Sequence, residues 1–159
     1  MSTSCTSTIR TLPSRLEFSA ESLALLQKLE GYRLRAYPDS GGKLTIGYGH
    51  LMLPREPHKI SKAEAERLLR IDVARTVKAV RDLAKVPLWQ SEFDAVVIFV
   101  FNIGVTAFRK STMLRKLKAL DYREASLEFG RWVFVNGVKN KGLIHRRAAE
   151  RQLFNTVPF

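Results

Sequence analysis

Residues 30–50 read E-G-Y-R-L-R-A-Y-P-D-S-G-G-K-L-T-I-G-Y-G-H, from Glu30 to His50, and gather acids, glycines and a histidine in one place. Just upstream, Leu23, Leu26 and Leu29 recur on one helical stripe with Leu25 beside it, which predicts an amphipathic helix over residues 20–29 with Glu30 at its end. Gly31 then stops the helix, because glycine enters the left-handed conformation at little cost. A carboxylate at that end lies near the negative pole of the helix macrodipole, which disfavours the ionised form. Leu29, Tyr32 and Ile46 are candidates to add partial desolvation in the same direction. Such surroundings suit a general acid that must hold its proton near neutral pH.

After Gly31 the period changes to two. Tyr32, Leu34 and Ala36 alternate with Arg33, Arg35 and Tyr37, the pattern of a strand with one wet face. Pro38-Asp39-Ser40-Gly41-Gly42 is a turn, since proline presets one dihedral and the paired glycines accept positive φ. Residues 43–48 return as a second strand, with Gly47 and Gly49 where the backbone must bend or admit a close neighbour. The result is an antiparallel hairpin with Asp39 near its tip, Thr45 on the returning strand and Glu30 at its base. Residues 51–53 are expected to add a short third strand before the turn-rich residues 54–58.

Farther along, Ser61 followed by Glu64 has the spacing of a capping box, with Pro57 upstream. Ala65, Leu68, Leu69, Val73, Val77 and Val80 then recur at three- and four-residue steps, predicting a helix over residues 62–83. At about 33 Å it reads as a strut between two lobes. Its charged positions, Glu66, Arg67, Arg70, Asp72, Arg75 and Lys78, are expected to be solvated. Val86-Pro87 breaks the pattern. A helix from Gln90 or Ser91 to Ile103 is apolar nearly all round, so it belongs at the centre of the second lobe, with Gly104 as its cap. Helices over residues 112–120, 122–134 and 143–154 follow, with Asp121 capping the second. Asn136-Gly137 and Asn140-Lys141-Gly142 supply the turn between the last two. Trp89, Phe129, Trp132, Phe134 and Phe154 fall at helical spacing and are read as core.

With 159 residues, 45% of them hydrophobic, the chain can bury the core of one unit or of two small lobes sharing a helix. The boundaries expected are a polar tail over residues 1–19, a small α+β lobe over 20–60, a connecting helix over 61–84 and a helical lobe over 85–159. A formal net charge of +12 draws the protein to polyanions or serves solubility, and composition does not choose between the two. The single cysteine, Cys5, excludes an internal disulfide and a cysteine metal site, and it reads as an inert thiol. His50, His58 and His145 show no metal spacing, so no metal and no cofactor are expected. No phosphate loop occurs. Residues 1–18 are rich in serine and threonine and read as a loosely attached tail, either a native or a cloning extension. They contain no apolar run of the secretory kind, and residues 95–101, the longest apolar run, fall far short of the roughly 20 a membrane span needs. Cytoplasmic synthesis without stable membrane insertion is the expectation.

Glu30, Asp39 nine positions on and Thr45 six further, within the frame Thr45-Ile46-Gly47-Tyr48-Gly49-His50, resemble the catalytic segment of the phage-type lysozymes, the endolysins of glycoside hydrolase family twenty-four. The resemblance continues more loosely through Phe101-Asn102-Ile103-Gly104 and residues 142–147. It implies an α+β lysozyme-like fold, with a small lobe carrying a hairpin or three-stranded sheet joined by a long helix to an all-helical lobe. It implies hydrolysis of the β-1,4 bond between N-acetylmuramic acid and N-acetylglucosamine in bacterial peptidoglycan, with inversion. By resemblance Glu30 is the general acid, Asp39 positions or activates water and Thr45 helps hold that water. His50 is a supporting hydrogen-bond partner by resemblance, and a satisfied structural histidine accounts for it equally well. Leu51, Phe101, Asn102 and Ser111 match positions that line the sugar cleft. Arg146 or Arg147 would place a cation near Glu30 or would be solvated charges on the last helix. The setting implied is phage lysis, by a monomer held in the host cytoplasm until a separate holin-like membrane-perforating protein admits it to the wall.

Two rival readings differ in class. A non-catalytic wall binder of the same fold would be expected to have lost an active-site residue, and Glu30, Asp39 and Thr45 are all present. A nucleic-acid module would explain the charge, but the basic residues are spread along the chain rather than concentrated on one helix and no nucleic-acid motif occurs, so no specific nucleic acid is expected.

Overall fold

The computed structural model describes residues 9–158. The chain divides into two compact units, Leu23–Arg75 on one side and residues from Thr76 onward together with those through Ser22 on the other. Two helices cross the boundary in sequence. They are α1 (Ala20–Glu30) and α2 (Lys62–Ala84), the second matching the long helix that the three- and four-residue apolar steps predict. Leu68, Leu69, Val73, Val77, Val80 and Ala84 are its buried stripe. At its start the Glu64 amide donates to the Ser61 hydroxyl at 3.1 Å, while the Glu64 carboxylate pairs with Arg67 at 2.6 Å.

Within Leu23–Arg75 the sheet has the order β1 (Arg33–Pro38), β2 (Leu44–Gly47), β3 (His50–Leu51), all antiparallel. The register pairs Tyr37 with Thr45 and Thr45 with Leu51, and it slips between Arg33 and Tyr37. β2 is central, so Thr45, Ile46 and Gly47 are all buried. The far edge of β1 is covered by residues 58–60, whose backbone bonds reach Ala36 and Leu34 at 2.9 Å each.

The other unit is helical: α3 (Gln90–Ile103), α4 (Val105–Arg109), α5 (Thr112–Lys118), α6 (Tyr122–Glu128) and α7 (Lys141–Phe154). α3 is buried continuously from Glu92 to Val100 and packs on α7, as its all-round apolar sequence predicts. Phe99 meets Phe129 and Trp132 edge-on, with ring centroids 5.1 and 5.7 Å apart, and Phe129 meets Phe154 at 5.6 Å. Each such pair adds about 0.5–1.5 kcal/mol beyond its buried area.

Four expectations are corrected. The helix read over residues 122–134 ends at Glu128, passes through a 3-10 turn (Phe129–Arg131), and gives way to a hairpin of β4 (Phe134–Val135) and β5 (Val138–Lys139). Asn136 and Gly137, both at positive φ, form the two-residue turn that flanking strands favour, so Phe134 is exposed and not core. Arg146 and Arg147 are buried around the fully buried Glu150 and are not solvated. Asp72 is drawn out of the solvated face of α2 by His50. Residues 9–18 are attached to the helical unit. Thr11 and Leu88 exchange backbone bonds at 2.8 Å, and Arg81 donates to the carbonyls of Pro13 and Leu16. Apolar periodicity did not announce that attachment because its contacts are polar and long-range. The reading of residues 1–8, Cys5 included, falls outside the described residues.

Asp94 on α3 holds the start of α1. It accepts from the Ser19 hydroxyl and amide at 2.5 and 3.3 Å, from the Ser22 hydroxyl at 2.9 Å and from the Gln90 amide at 2.9 Å. Burial pushes the Asp94 carboxyl above its ordinary value of 3.8, and the donors only partly offset this. The folded state therefore holds a proton that the unfolded state releases. This contribution to stability is fully present below the unfolded pKa and is lost as pH rises through the folded one. The stability of wild type relative to Asp94→Asn, from urea midpoints, is expected to decline as pH rises above 3.8; a difference that grows with pH would contradict the sign.

Candidate active site

Glu30 is the last residue of α1, and the Gly31 amide, at φ 62°, closes the helix onto the Gln27 carbonyl at 3.0 Å. That left-handed stop turns the chain into β1 while leaving the Glu30 side chain at the base of the sheet. Its Oε1 is shielded from solvent. Its Oε2 lies 3.2 Å from where a Cβ would stand at residue 49, and Gly49 has φ 79°. The dihedral favours glycine there, and a Cβ would press the carboxylate back by a few tenths of an ångström. Gly47, also at positive φ, meets Ala65 of α2 at 3.3 Å in the same sense.

Asp39 sits at the tip between β1 and β2, half-buried. Its Oδ1 accepts from the Gly41 and Lys43 amides at 2.9 and 2.8 Å, and its own amide donates to the Lys43 carbonyl at 2.8 Å. Both turn donors converge on one oxygen. The carboxylate is thereby oriented without using Oδ2 in the turn. Thr45 is buried on β2 and its hydroxyl donates to the Lys43 carbonyl at 3.1 Å, which leaves the oxygen able to accept. Tyr48 packs its ring 5.4 Å from that of Tyr32.

His50 is buried on β3 with a carboxylate at each ring nitrogen: Asp72 on Nδ1 at 2.7 Å and Glu56 on Nε2 at 3.2 Å. Glu56 also accepts from the Leu53 amide at 2.7 Å. That amide first, then the ring, holds the Glu56 carboxyl below its ordinary value. The ring is thus a clasp between β3, the loop after it and α2, with no nitrogen turned to a ligand. Because the two acids lie on opposite nitrogens they do not converge on a common point. Among the described residues no group of three or more His, Cys, Asp or Glu is arranged to hold a metal ion.

Leu51 is exposed on β3. Phe101 and Asn102 occupy the last turn of α3 in the helical unit, where the Arg147 guanidinium donates to Asn102 Oδ1, to the Trp132 carbonyl at 3.0 Å and to Glu150 at 2.6 Å. Ser111 is the cap of α5; its hydroxyl accepts from the Leu114 amide at 3.1 Å and donates to the Phe108 carbonyl at 2.7 Å. It is buried and its bonds are internal, so its geometry is that of a cap and not of a sugar contact. The Leu23–Arg75 unit brings together Glu30, Asp39, Thr45, His50 and Leu51 on one helix end and three short strands. The acids that hold His50 carry no local sequence signal: Glu56 lies in a turn-rich loop and Asp72 among the charged positions of α2.

A helix end and a hairpin carrying two unlike carboxylates, on a lysozyme-like mixed fold, define a glycoside hydrolase of the lysozyme class. The family profile described as phage lysozyme matches residues 27–150. The chain is 42% identical over 145 residues to an endolysin of Acyrthosiphon pisum secondary endosymbiont phage 1, covering 89% of this chain and 99% of that one. It is 42% identical over 127 residues to the SAR-endolysin of Escherichia phage Mu, covering 80% and 74%. Among solved structures, the muramidase domain of SpmX from Asticaccaulis excentricus superposes with a TM-score of 0.82 at 38% identity, covering 89% and 99%. A P22 lysozyme mutant superposes with a TM-score of 0.77 at 34% identity, over the same shares. The chain belongs to the phage lysozyme family.

Gly31 and Gly49 separate strain from displacement. Both have positive φ, but a methyl at residue 31 meets nothing within 4 Å, whereas one at 49 meets the Glu30 carboxylate. Gly31→Ala and Gly49→Ala are each expected to cost about 1–2 kcal/mol in denaturant unfolding. If the Glu30 carboxylate takes part in the reaction, clearing of wall suspensions is expected to fall by more than about tenfold further in Gly49→Ala than in Gly31→Ala. Equal activity of the two variants would show that the Glu30 position does not depend on Gly49.

Proposed function

We propose that this chain is an endolysin, a muramidase that cleaves the β-1,4 bond from N-acetylmuramic acid to N-acetylglucosamine in peptidoglycan during phage lysis. The observation that carries the reading is that one unit holds two carboxylates in unlike surroundings. Glu30 lies against the backbone at Gly49, with Oε1 shielded from solvent, and Asp39 stands on a turn with Oδ1 fixed by two amides. Divided acid and base roles need such a division of environments.

In this reading Glu30 gives its proton to the glycosidic oxygen as the bond from the anomeric carbon breaks and the electron pair goes to that oxygen. A water held between Asp39 and Thr45 attacks the anomeric carbon from the opposite face, and its proton passes to Asp39. The Thr45 hydroxyl donates to Lys43 and so offers its oxygen to that water. A single displacement inverts the centre, which requires the two carboxyl groups to be about 6.5–9.5 Å apart. Leu51 in its unit, and Phe101 and Asn102 in the helical one, are each assigned to saccharide contact, and His50 fixes the strand behind Thr45.

The net charge of +12 favours the acidic peptides and phosphates of the wall. No helix among the described residues is long and apolar enough to cross a membrane. Residence in the host cytoplasm, passage by way of a separate holin-like protein and action as a monomer belong to the same proposal.

Glu30→Gln removes the proton and keeps the shape. It is expected to unfold at the same denaturant midpoint within about 1 kcal/mol, and to clear purified wall at least about 100-fold more slowly than wild type. Proton NMR of the first product is expected to show the α-anomer. Undiminished clearing by Glu30→Gln would remove the acid assignment, and a β-anomer would replace inversion by a two-step route.

A further inference from the structure

Apart from the catalytic segment, one side chain of this molecule sits in its surroundings as a ligand sits in a receptor. The Arg10 guanidinium carbon is 4.0 Å from the centroid of the Trp89 ring and 3.7 Å from that of Tyr122. Its Nε and Nη2 donate to the two oxygens of Glu92 at 3.0 and 2.8 Å, fork on fork. The Glu92 side chain is only 2% exposed.

The walls are held by bonds that do not involve Arg10. The Trp89 amide donates to Glu92 Oε2 at 2.9 Å, and the Tyr122 hydroxyl donates to the Pro87 carbonyl at 2.6 Å. Glu92 lies in the first turn of the buried helix α3, and Tyr122 opens α6. A cavity of about 400 Å³, lined by Trp89, Glu92, Tyr122 and Arg10 itself, adjoins the guanidinium. Withdrawing Arg10 would leave the buried Glu92 carboxylate without its cation, which is costly for a buried acid.

We propose that Trp89, Glu92 and Tyr122 form a guanidinium-binding site and that Arg10 is its resident ligand in cis. The chemistry selects guanidinium over ammonium. Two ring faces lie within 4.0 Å of the guanidinium carbon, and a carboxylate presents both oxygens to two coplanar N–H groups, whereas an ammonium offers a hydrated point charge. Residues 10–16 are then a strap fastened at Arg10 by this site. Behind Arg10 come the Thr11–Leu88 bridge and the bonds from Arg81 to Pro13 and Leu16. The strap and the site are separable, so truncating Arg10 opens the site to a free alkylguanidinium. The inference does not rest on the proposed hydrolysis.

The test uses the full chain. Arg10→Ala and Arg10→Lys are unfolded thermally against rising ethylguanidinium and, separately, ethylammonium, with tryptophan fluorescence recorded alongside. Both variants are expected to melt several degrees below wild type. Ethylguanidinium at millimolar concentration should restore much of the loss in Arg10→Ala along a saturating curve, ethylammonium should not, and wild type should gain nothing. Adding Glu92→Gln to Arg10→Ala should abolish the rescue. The proposal is overturned if ethylguanidinium gives no saturable gain, if ethylammonium rescues equally, if wild type gains as much, or if Arg10→Lys is as stable as wild type.

Discussion

The Glu30 carboxylate fills space that any side chain at position 49 would claim, and this close approach of an acid to bare backbone sets the rest of the site. It needs α1 to stop at Glu30, which the left-handed Gly31 arranges, and it needs the chain between β2 and β3 to bend twice through positive φ at Gly47 and Gly49. The bend is kept in place by buried Ile46, Tyr48 and His50 on either side of it. His50 in turn is fastened to α2 through Asp72. The hydrogen-bonded hairpin then fixes Asp39 and Thr45 relative to the same frame. Gly31, Gly47 and Gly49 mark places where a methyl group would strain the backbone, and at Gly47 and Gly49 it would also crowd a neighbour, so the stretch is specified by sterics as much as by its acids.

The helical unit is organised by buried charge. Arg146 and Arg147 surround Glu150, Arg10 meets Glu92, and Asp94 gathers the donors at the start of α1. Buried pairs of this kind add little net stability compared with apolar packing, yet removing one member is expensive. Their effect is to fix which elements meet. Arg147 ties α7 to Asn102 at the end of α3 and to the carbonyl of Trp132, while its guanidinium lies 5.0 Å from the Phe99 ring centroid. The residues at the end of α3 proposed to face sugar are thus held from behind by a side chain that the solvent does not reach.

Helices α1, α2, α3, α5 and α7 and the three-stranded sheet are legible because their signals are local, whereas the five-residue α4 carries no such signal. The leucine stripe of α1, the apolar steps of α2, the period change after Gly31 and the paired glycines of the turn each follow from a few neighbouring residues. What escaped was of longer range or smaller size. The β4–β5 hairpin is two residues per strand, and an Asn-Gly turn between helical patterns reads equally as a link between helices. The burial of Arg146 and Arg147 depends on a glutamate one turn along the same helix face and on partners from other elements. Asp72 looked solvated because its partner His50 is 22 residues away. Arg10 belonged to a stretch whose composition says loose tail, although a single cation between two rings and a buried acid is enough to fasten it. Glu30, Asp39 and Thr45 stood out through spacing and a resemblance, and the reason Gly49 must be glycine emerged only with coordinates.

The central claim is that residues 30 and 39 act on opposite sides of one glycosidic bond. A crystal structure of Glu30→Gln with a bound oligosaccharide of alternating N-acetylglucosamine and N-acetylmuramic acid tests it most directly. The bridging oxygen is expected within hydrogen-bond reach of residue 30, with a water on the far face of the sugar ring in contact with Asp39 and Thr45. Saccharide bound elsewhere, or seated with both carboxyl groups on the same face of the ring, would contradict it.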